Sequence, residues 1–294
     1  MSTRLLVGPL DLRHQGVERA IGVYVMQTHD GLALFDCGPS ATLPHLDHAL
    51  AERSIAWTDV RHVVLSHVHL DHAGAAGTLA ERHPQLTIWV SEHGAPHLVD
   101  PSRLEASARR VFGAAHDALW GPISPVPRDR LRSATEASAL GLDVFATPGH
   151  ASHHVTYVDS DGVAYDGDLT GVRLPGETFV RPSTPPPDID LALWNASLEE
   201  VERHGVQRLA LVHFGLHDDV GAHLARQRAQ LELYDERVRH GVGEEEFAAL
   251  AASDLEHAAV PEGATYELVA DAAHNYAGLR RYRDRLASAP MPAR

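Results

Sequence analysis

The sequence predicts a layered α/β fold, on three observations. Short apolar runs suited to strands recur along the chain, amphipathic stripes of helical period lie between them, and His and Asp side chains gather just after the strands. Strands are expected near 22–26, 32–35, 63–65, 87–90, 143–146, 155–158, 162–165 and 209–212. Between the second and third, Leu43, Leu46 and Leu50 follow Ser40, a candidate cap, at offsets of three and four. Residues 73–81 continue as helix after the third strand. An insertion at 101–132 starts as a helix bearing Leu104, Ala108 and Val111 and ends as a proline-containing loop. Residues 171–187, with Gly, several Pro and the run Pro185–Pro187, form a stiff loop. Leu191, Trp194, Leu198 and Val201 mark a helix begun at Asp188 or Asp190, and Val220, Leu224, Leu231 and Tyr234 mark a longer one. Past 215 the chain is mostly helical, with one further strand expected at 266–269. One domain over 1–294 is expected, with a core of about 1–215 and a helical extension of about 216–294.

Composition narrows the function classes. Forty acids against 25 bases give a net charge of −15, which disfavours a general nucleic-acid binder, because phosphate contacts need clustered bases. No apolar stretch reaches the roughly 18 residues of a membrane span, and the N-terminus lacks the pattern of a secretory signal. Cys37 is the single cysteine, so no internal disulfide or cysteine-rich zinc ribbon is built, and a reducing, cytoplasmic location is expected. Cys37 itself reads as a small buried hydrophobe. The 22 histidines exceed what packing calls for.

The strongest signal is Ser66-His67-Val68-His69-Leu70-Asp71-His72-Ala73-Gly74, directly after an apolar strand. Imidazole and carboxylate suit zinc, iron or manganese. His67 and His69 can share a face, because alternate side chains of an extended segment point the same way. Asp71 and His72 lie past the turn and can address a second ion. Three more strand ends deliver Thr147-Pro148-Gly149-His150, Asp166-Gly167-Asp168 and Val212-His213-Phe214-Gly215. Loops held by a rigid sheet are where layered α/β folds place their chemistry.

In order, Asp36, His67-Val68-His69-Leu70-Asp71-His72, His150, Asp168 and His213 resemble the motifs of the metallo-β-lactamase superfamily. Thr147-Pro148-Gly149-His150 with His154 is most similar to its glyoxalase II-like branch, and 181–187 resembles an uncharacterised microbial group within it. The resemblance implies a four-layer αβ/βα sandwich with additional C-terminal helices and a metal site along one edge. It gives one ion to His67, His69 and His150, a second to Asp71, His72 and His213, and makes Asp168 the bridge. The ions expected are two divalent metals, zinc first, with iron or manganese as alternatives. A water shared by the ions is then the nucleophile, with Asp71 as the catalytic carboxylate beside it. Asp36 and His154 support the ligand loops from behind.

The activity implied is hydrolysis of a small ester, thioester, lactone or related acyl substrate. A persulfide dioxygenase with one iron keeps the same motifs and is the first alternative; a phosphodiesterase and a non-catalytic metal-binding scaffold follow. The tyrosine that family homoserine-lactone hydrolases place three residues after the bridging aspartate is Gly171 here, and the lysines with which glyoxalase II grips glutathione have no counterpart. Substrate contacts are expected from Arg173, Phe179, Arg181 and His217, and from Arg103, Arg109, Arg110 and Trp120 of the insertion. His93 and His97 are lesser candidates for the cleft. His45, His48, His62, His83, His204, His223, His240 and His257 are expected in solvent, and His153 carries no assigned role. The partner expected is a small molecule, without nucleic acid or membrane, and a homo-oligomer is left open.

Overall fold

The computed structural model describes residues 3–288 and arranges its strands in two mixed sheets. The first runs in chain order through Arg4–Asp11 (β1), Gly22–Thr28 (β2), Gly31–Phe35 (β3), Val60–Val64 (β4), Thr87–Val90 (β5) and Leu131–Ser133 (β6). The pairings β1–β2 and β2–β3 are antiparallel, and β3 to β6 are parallel. The second sheet contains Asp143–Ala146 (β7), Val155–Val158 (β8), Val163–Tyr165 (β9), Arg208–Leu211 (β10) and Gly215–His217 (β11), in the order β11-β10-β9-β8-β7. Here β9 and β10 run parallel and the other pairs antiparallel.

The parallel strands are joined by Leu43–Glu52 (α1), by Leu70–Ala73 (α2) with Ala76–Arg82 (α3), and by Ala95–Val99 (α4), Ser102–Phe112 (α5) and His116–Trp120 (α6). Leu191–Arg203 (α7) crosses from β9 to β10, and Val220–Arg239 (α8), Glu244–His257 (α9), Gly263–Val269 (α10) and Ala272–Ser288 (α11) follow. Asp190 caps α7, its carboxylate accepting from the amides of Ala192 and Leu193. No helix among the described residues is long and apolar enough to cross a membrane.

The two sheets pack face to face. Phe35 meets Tyr157 and Tyr165 at ring-centroid distances of 6.2 and 5.3 Å. Two buried hydroxyls escape an unpaired burial by crossing to the opposite sheet: Tyr24 donates to the Leu211 carbonyl at 2.7 Å and Tyr157 to that of Leu65 at 3.1 Å. A second apolar cluster, including Trp194, Leu198, Leu231 and Phe247, fills the space between the second sheet and α7, α8, α9 and α11.

Three expectations are corrected. Residues 266–269 are helix α10 rather than strand. Tyr266 and Ala270, one helical turn apart, are buried together, and the Tyr266 hydroxyl accepts from Leu174 N and donates to Phe179 O, so packing overrides local β-propensity. Ser40 does not cap α1; it begins a preceding turn and its hydroxyl donates to Gly74 O. The 101–132 insertion ends not in loop but in β6, the edge strand paired to β5.

Candidate metal centre

The ends of β3, β4, β7, β9 and β10 deliver Asp36, His67 to His72, His150, Asp168 and His213 to one edge of the sandwich. His67, His69, His150 and Asp168 offer ligand atoms that all lie within 4.8 Å of one another, as do Asp71, His72, Asp168 and His213. In the first set, His69 Nδ1 is 2.9 Å from His67 Nε2 and 2.8 Å from His150 Nε2. In the second, His213 Nε2 is 3.3 Å from His72 Nε2, and both lie 3.5 Å from Asp71 Oδ2. Asp168 stands between them. Its Oδ2 is 3.3 Å from His150 Nε2, while its Oδ1 is 3.1 Å from His72 Nε2 and 3.2 Å from His213 Nε2.

The ring nitrogens that face away from the centre are anchored. His150 Nδ1 donates to Ser183 O at 2.8 Å and His213 Nδ1 to Ala20 O at 2.6 Å. His72 Nδ1 donates to Asp36 Oδ2 at 2.7 Å, and His67 Nδ1 meets the Ser66 hydroxyl at 3.0 Å. Such partners fix the tautomer and aim the other nitrogen inward. Asp36 is the hub: its carboxylate also accepts from Ser66 N and Ser66 Oγ, both at 2.8 Å. It does so from a left-handed backbone, φ 54°, which Asp tolerates better than most residues. His154 is fully buried behind His67, with Nδ1 on the Thr147 hydroxyl at 2.8 Å. Gly167 is needed beside it. At φ +50° a Cβ would lie 2.5 Å from Ser66 Oγ and 2.8 Å from His154 Nε2. We expect Asp36→Ala to retain every candidate ligand yet lower metal affinity roughly 10–100-fold. Competition with a chromophoric chelator measures this, and unchanged affinity would remove the bracing role.

Electrostatics divide the two sets. Burial holds the His67 imidazole well below its usual pKa, and His72, His69 and His150 push it the same way. Burial likewise takes His69 to about 4. These rings are neutral bases at pH 7, the form that binds a metal. At His72 burial acts in the same direction, but Asp71, Asp168 and Asp36 outweigh it and raise the imidazole. At His213 burial again opposes, and Asp168 and Asp71 raise it to about 9. Against their own burial, Asp71 and Asp168 are held well below the carboxylate range by these histidines, His72 foremost. Without a metal, Asp71 and Asp168 are thus ionised beside raised imidazoles at His72 and His213.

A chamber of about 420 Å³ opens on this edge, reached by His69, Asp71, Asp168 and His213. Arg103 and Trp120 of the insertion and His97 line it, whereas Arg109, Arg110 and His93 do not. Arg173, Phe179, Arg181 and His217, also expected as contacts, lie outside the chamber. Arg181 is fully buried with Nη1 on Glu267 at 2.7 Å, and Phe179 packs on Tyr266. Arg173 donates to Asp219 at 2.6 Å, to Glu177 O and to His223 Nδ1, and His217 sits beside His223. These side chains pin the loop to α8 and α10. His14 and His153, which also line the chamber, had no sequence signal beyond the surplus of histidine. His14 stacks on Trp120 with ring centroids 5.6 Å apart, and only the closed fold brings these two distant segments together.

His62 and His223 are corrected too, since both are buried rather than solvated. His223 Nε2 donates to Thr170 O at 2.8 Å while its Nδ1 accepts from Arg173, so the neutral ring is fully satisfied. Burial, with Arg173 nearby, lowers its pKa to about 3. The unfolded chain takes up this proton near 6.5 and the folded chain only near 3, so stability falls as pH drops between those values. The slope is about 1.4 kcal/mol per pH unit for one such group. His223→Gln should flatten the pH dependence of denaturant stability of the metal-free protein by that amount between about pH 6 and 4; an unchanged slope excludes His223 as a source.

Comparisons with known proteins agree with this fold. A family model described as the metallo-beta-lactamase superfamily matches residues 18–213. The metallo-beta-lactamase fold-containing protein of Sulfurisphaera tokodaii is 26% identical over 202 residues, covering 66% of this chain and 72% of that protein. A hydroxyacylglutathione hydrolase of Cupriavidus taiwanensis is 28% identical over 141 residues, 48% of this chain and 45% of the hydrolase, so the match spans about half of each. A solved metallo-beta-lactamase family protein from Thermus thermophilus shares the fold, with TM-score 0.66 at 22% identity over 97% of this chain and 94% of that one.

Proposed function

The chain belongs to the metallo-β-lactamase superfamily, and from that premise we propose that it is a hydrolase of a small ester, thioester, lactone or related acyl compound. It depends on two divalent ions, zinc in the first instance. The observation that carries this reading is Asp168, whose two oxygens face different donor sets. The donors fit such ions. They are imidazole and carboxylate only, and neighbouring nitrogens lie 2.8–3.3 Å apart. That is near the roughly 3.3 Å edge of a tetrahedron with bonds of about 2.0–2.1 Å.

Ions held there supply Lewis-acid polarisation of a carbonyl and a water-derived nucleophile at neutral pH. The net reaction adds water oxygen to the acyl carbon, breaks its bond to oxygen or sulfur, and leaves an acid and an alcohol or thiol. The chain's own part is positional. His67, His150 and His213, each locked from behind, fix the floor of the site. Asp71, ionised and facing the chamber, is placed to accept a hydrogen bond from water at its carboxylate and so orient it. The likeness to a hydroxyacylglutathione hydrolase supports thioesters among the acyl substrates.

Zinc- or manganese-loaded protein, assayed without oxygen on a panel of esters, thioesters and lactones, tests the reading. Turnover that tracks metal content is expected. Oxygen uptake by iron-loaded protein with glutathione persulfide, and no hydrolysis with zinc, would replace it with the dioxygenase.

A further inference from the structure

The inserted helix α5 has its apolar stripe turned to the metal edge. Leu104, Ala108, Val111 and Phe112 recur at offsets of three and four and all line the chamber. Leu104, Ala108 and Phe112, together with Trp120, pack with Leu70, the residue between His69 and Asp71, in an apolar cluster separate from the inter-sheet core. Leu268 and Val269, at the end of α10, and Pro185 to Pro187 line the same chamber. Val111 remains 40% exposed although it is a large hydrophobic side chain. An apolar wall that starts between two candidate metal ligands and stays uncovered calls for an apolar occupant.

Several polar groups on these walls are already committed. Asp271 accepts from His274, Asp188 from Ser152, and Asn275 bonds Thr184 N, Pro182 O and Ala270 O. These three side chains are thus engaged within the protein, whereas an apolar ligand finds the face of α5. The volume of about 420 Å³ lies within the roughly 300–1,000 Å³ usual for small-molecule sites.

We propose that this chamber is an acyl-binding site that takes the unbranched, medium-length hydrocarbon chain of the substrate, with its carbonyl at the metal edge. This rests on the hydrolase reading above and narrows its substrate class. The α5 stripe is the specificity element, and an acetyl group does not fill it.

Two measurements test it. In the first, metal-loaded protein is given p-nitrophenyl esters of two to twelve carbons. kcat/KM should rise about fourfold per methylene through the medium-length esters and then level. Ala108→Trp, which fills the chamber, should lower the ratio of octanoyl to acetyl kcat/KM at least tenfold. Val111→Asp, at an exposed position, should act in the same direction. In the second, metal-free protein is titrated with octanamide and acetamide by calorimetry. Octanamide alone should bind, and Val111→Asp should weaken it. A flat chain-length profile with active enzyme overturns the acyl chamber and leaves the hydrolase standing. Absence of any hydrolysis with retained octanamide binding overturns the hydrolase and keeps the chamber as an alkyl-binding site. Equal or absent binding of both amides overturns the chamber.

Discussion

We expect an Asp168→Ala variant to lose both metal ions together and, with them, all acyl hydrolysis. The carboxylate is the one side chain shared by the two donor sets, 3.3 Å from His150 on one oxygen and 3.1 and 3.2 Å from His72 and His213 on the other. Removing it takes a donor and a negative charge from each set at once. The loss therefore exceeds the roughly 10–100-fold of a residue that only orients a ligand, such as Asp36. Asp168 also raises the His72 and His213 imidazoles against their burial, so the metal-free variant should shed protons from these rings at lower pH than the parent. Metal analysis after dialysis, with circular dichroism to confirm the fold, reads the result. Departure of one ion while the other keeps its full affinity would refute the shared carboxylate.

Asp71→Asn keeps the shape of the site and should lower kcat by about 10²–10⁴-fold, the range for losing a positioned acid–base group. Asp71 is the most exposed carboxylate of the set, its side chain 21% accessible where Asp168 is 4%. It is therefore the acid that a substrate meets. Burial would raise its pKa, but His72 and His213 hold it well below the carboxylate range, so it remains ionised throughout the neutral region. The amide lacks that negative charge. His67, His69 and His150 are untouched, so at least their ion should be retained, and stoichiometry measured beside turnover separates lost chemistry from lost metal. A variant within tenfold of the parent would assign Asp71 to ligation alone.

The donor set was legible because it lies in short motifs after apolar strands. His67 to His72 follow β4 directly, and His150, Asp168 and His213 each follow a strand that the apolar pattern also marks. The substrate side was not legible in the same way. Arg173 and Arg181 were natural candidates as cations on a loop between catalytic segments. In the fold, they are consumed by Asp219 and Glu267, residues 46 and 86 positions away in sequence. No local pattern announces such pairing, because ion pairs across the chain depend on where α8 and α10 dock. The same holds for His223, whose helical context suggested solvent and whose ring is closed in by Thr170 and Arg173.

By itself, the sequence determined the alternation of strands and helices, the edge at which chemistry gathers and the residue types that meet there. These follow from local periodicity and from side-chain chemistry, which act over a few residues. The tertiary structure alone decided that 266–269 turn as a helix, that α5 faces its apolar stripe to the metal edge, and that Asp36 binds both the His67 loop and His72. Each of these depends on what a segment packs against, and burial and hydrogen-bond satisfaction between distant segments exist only once the chain has closed on itself.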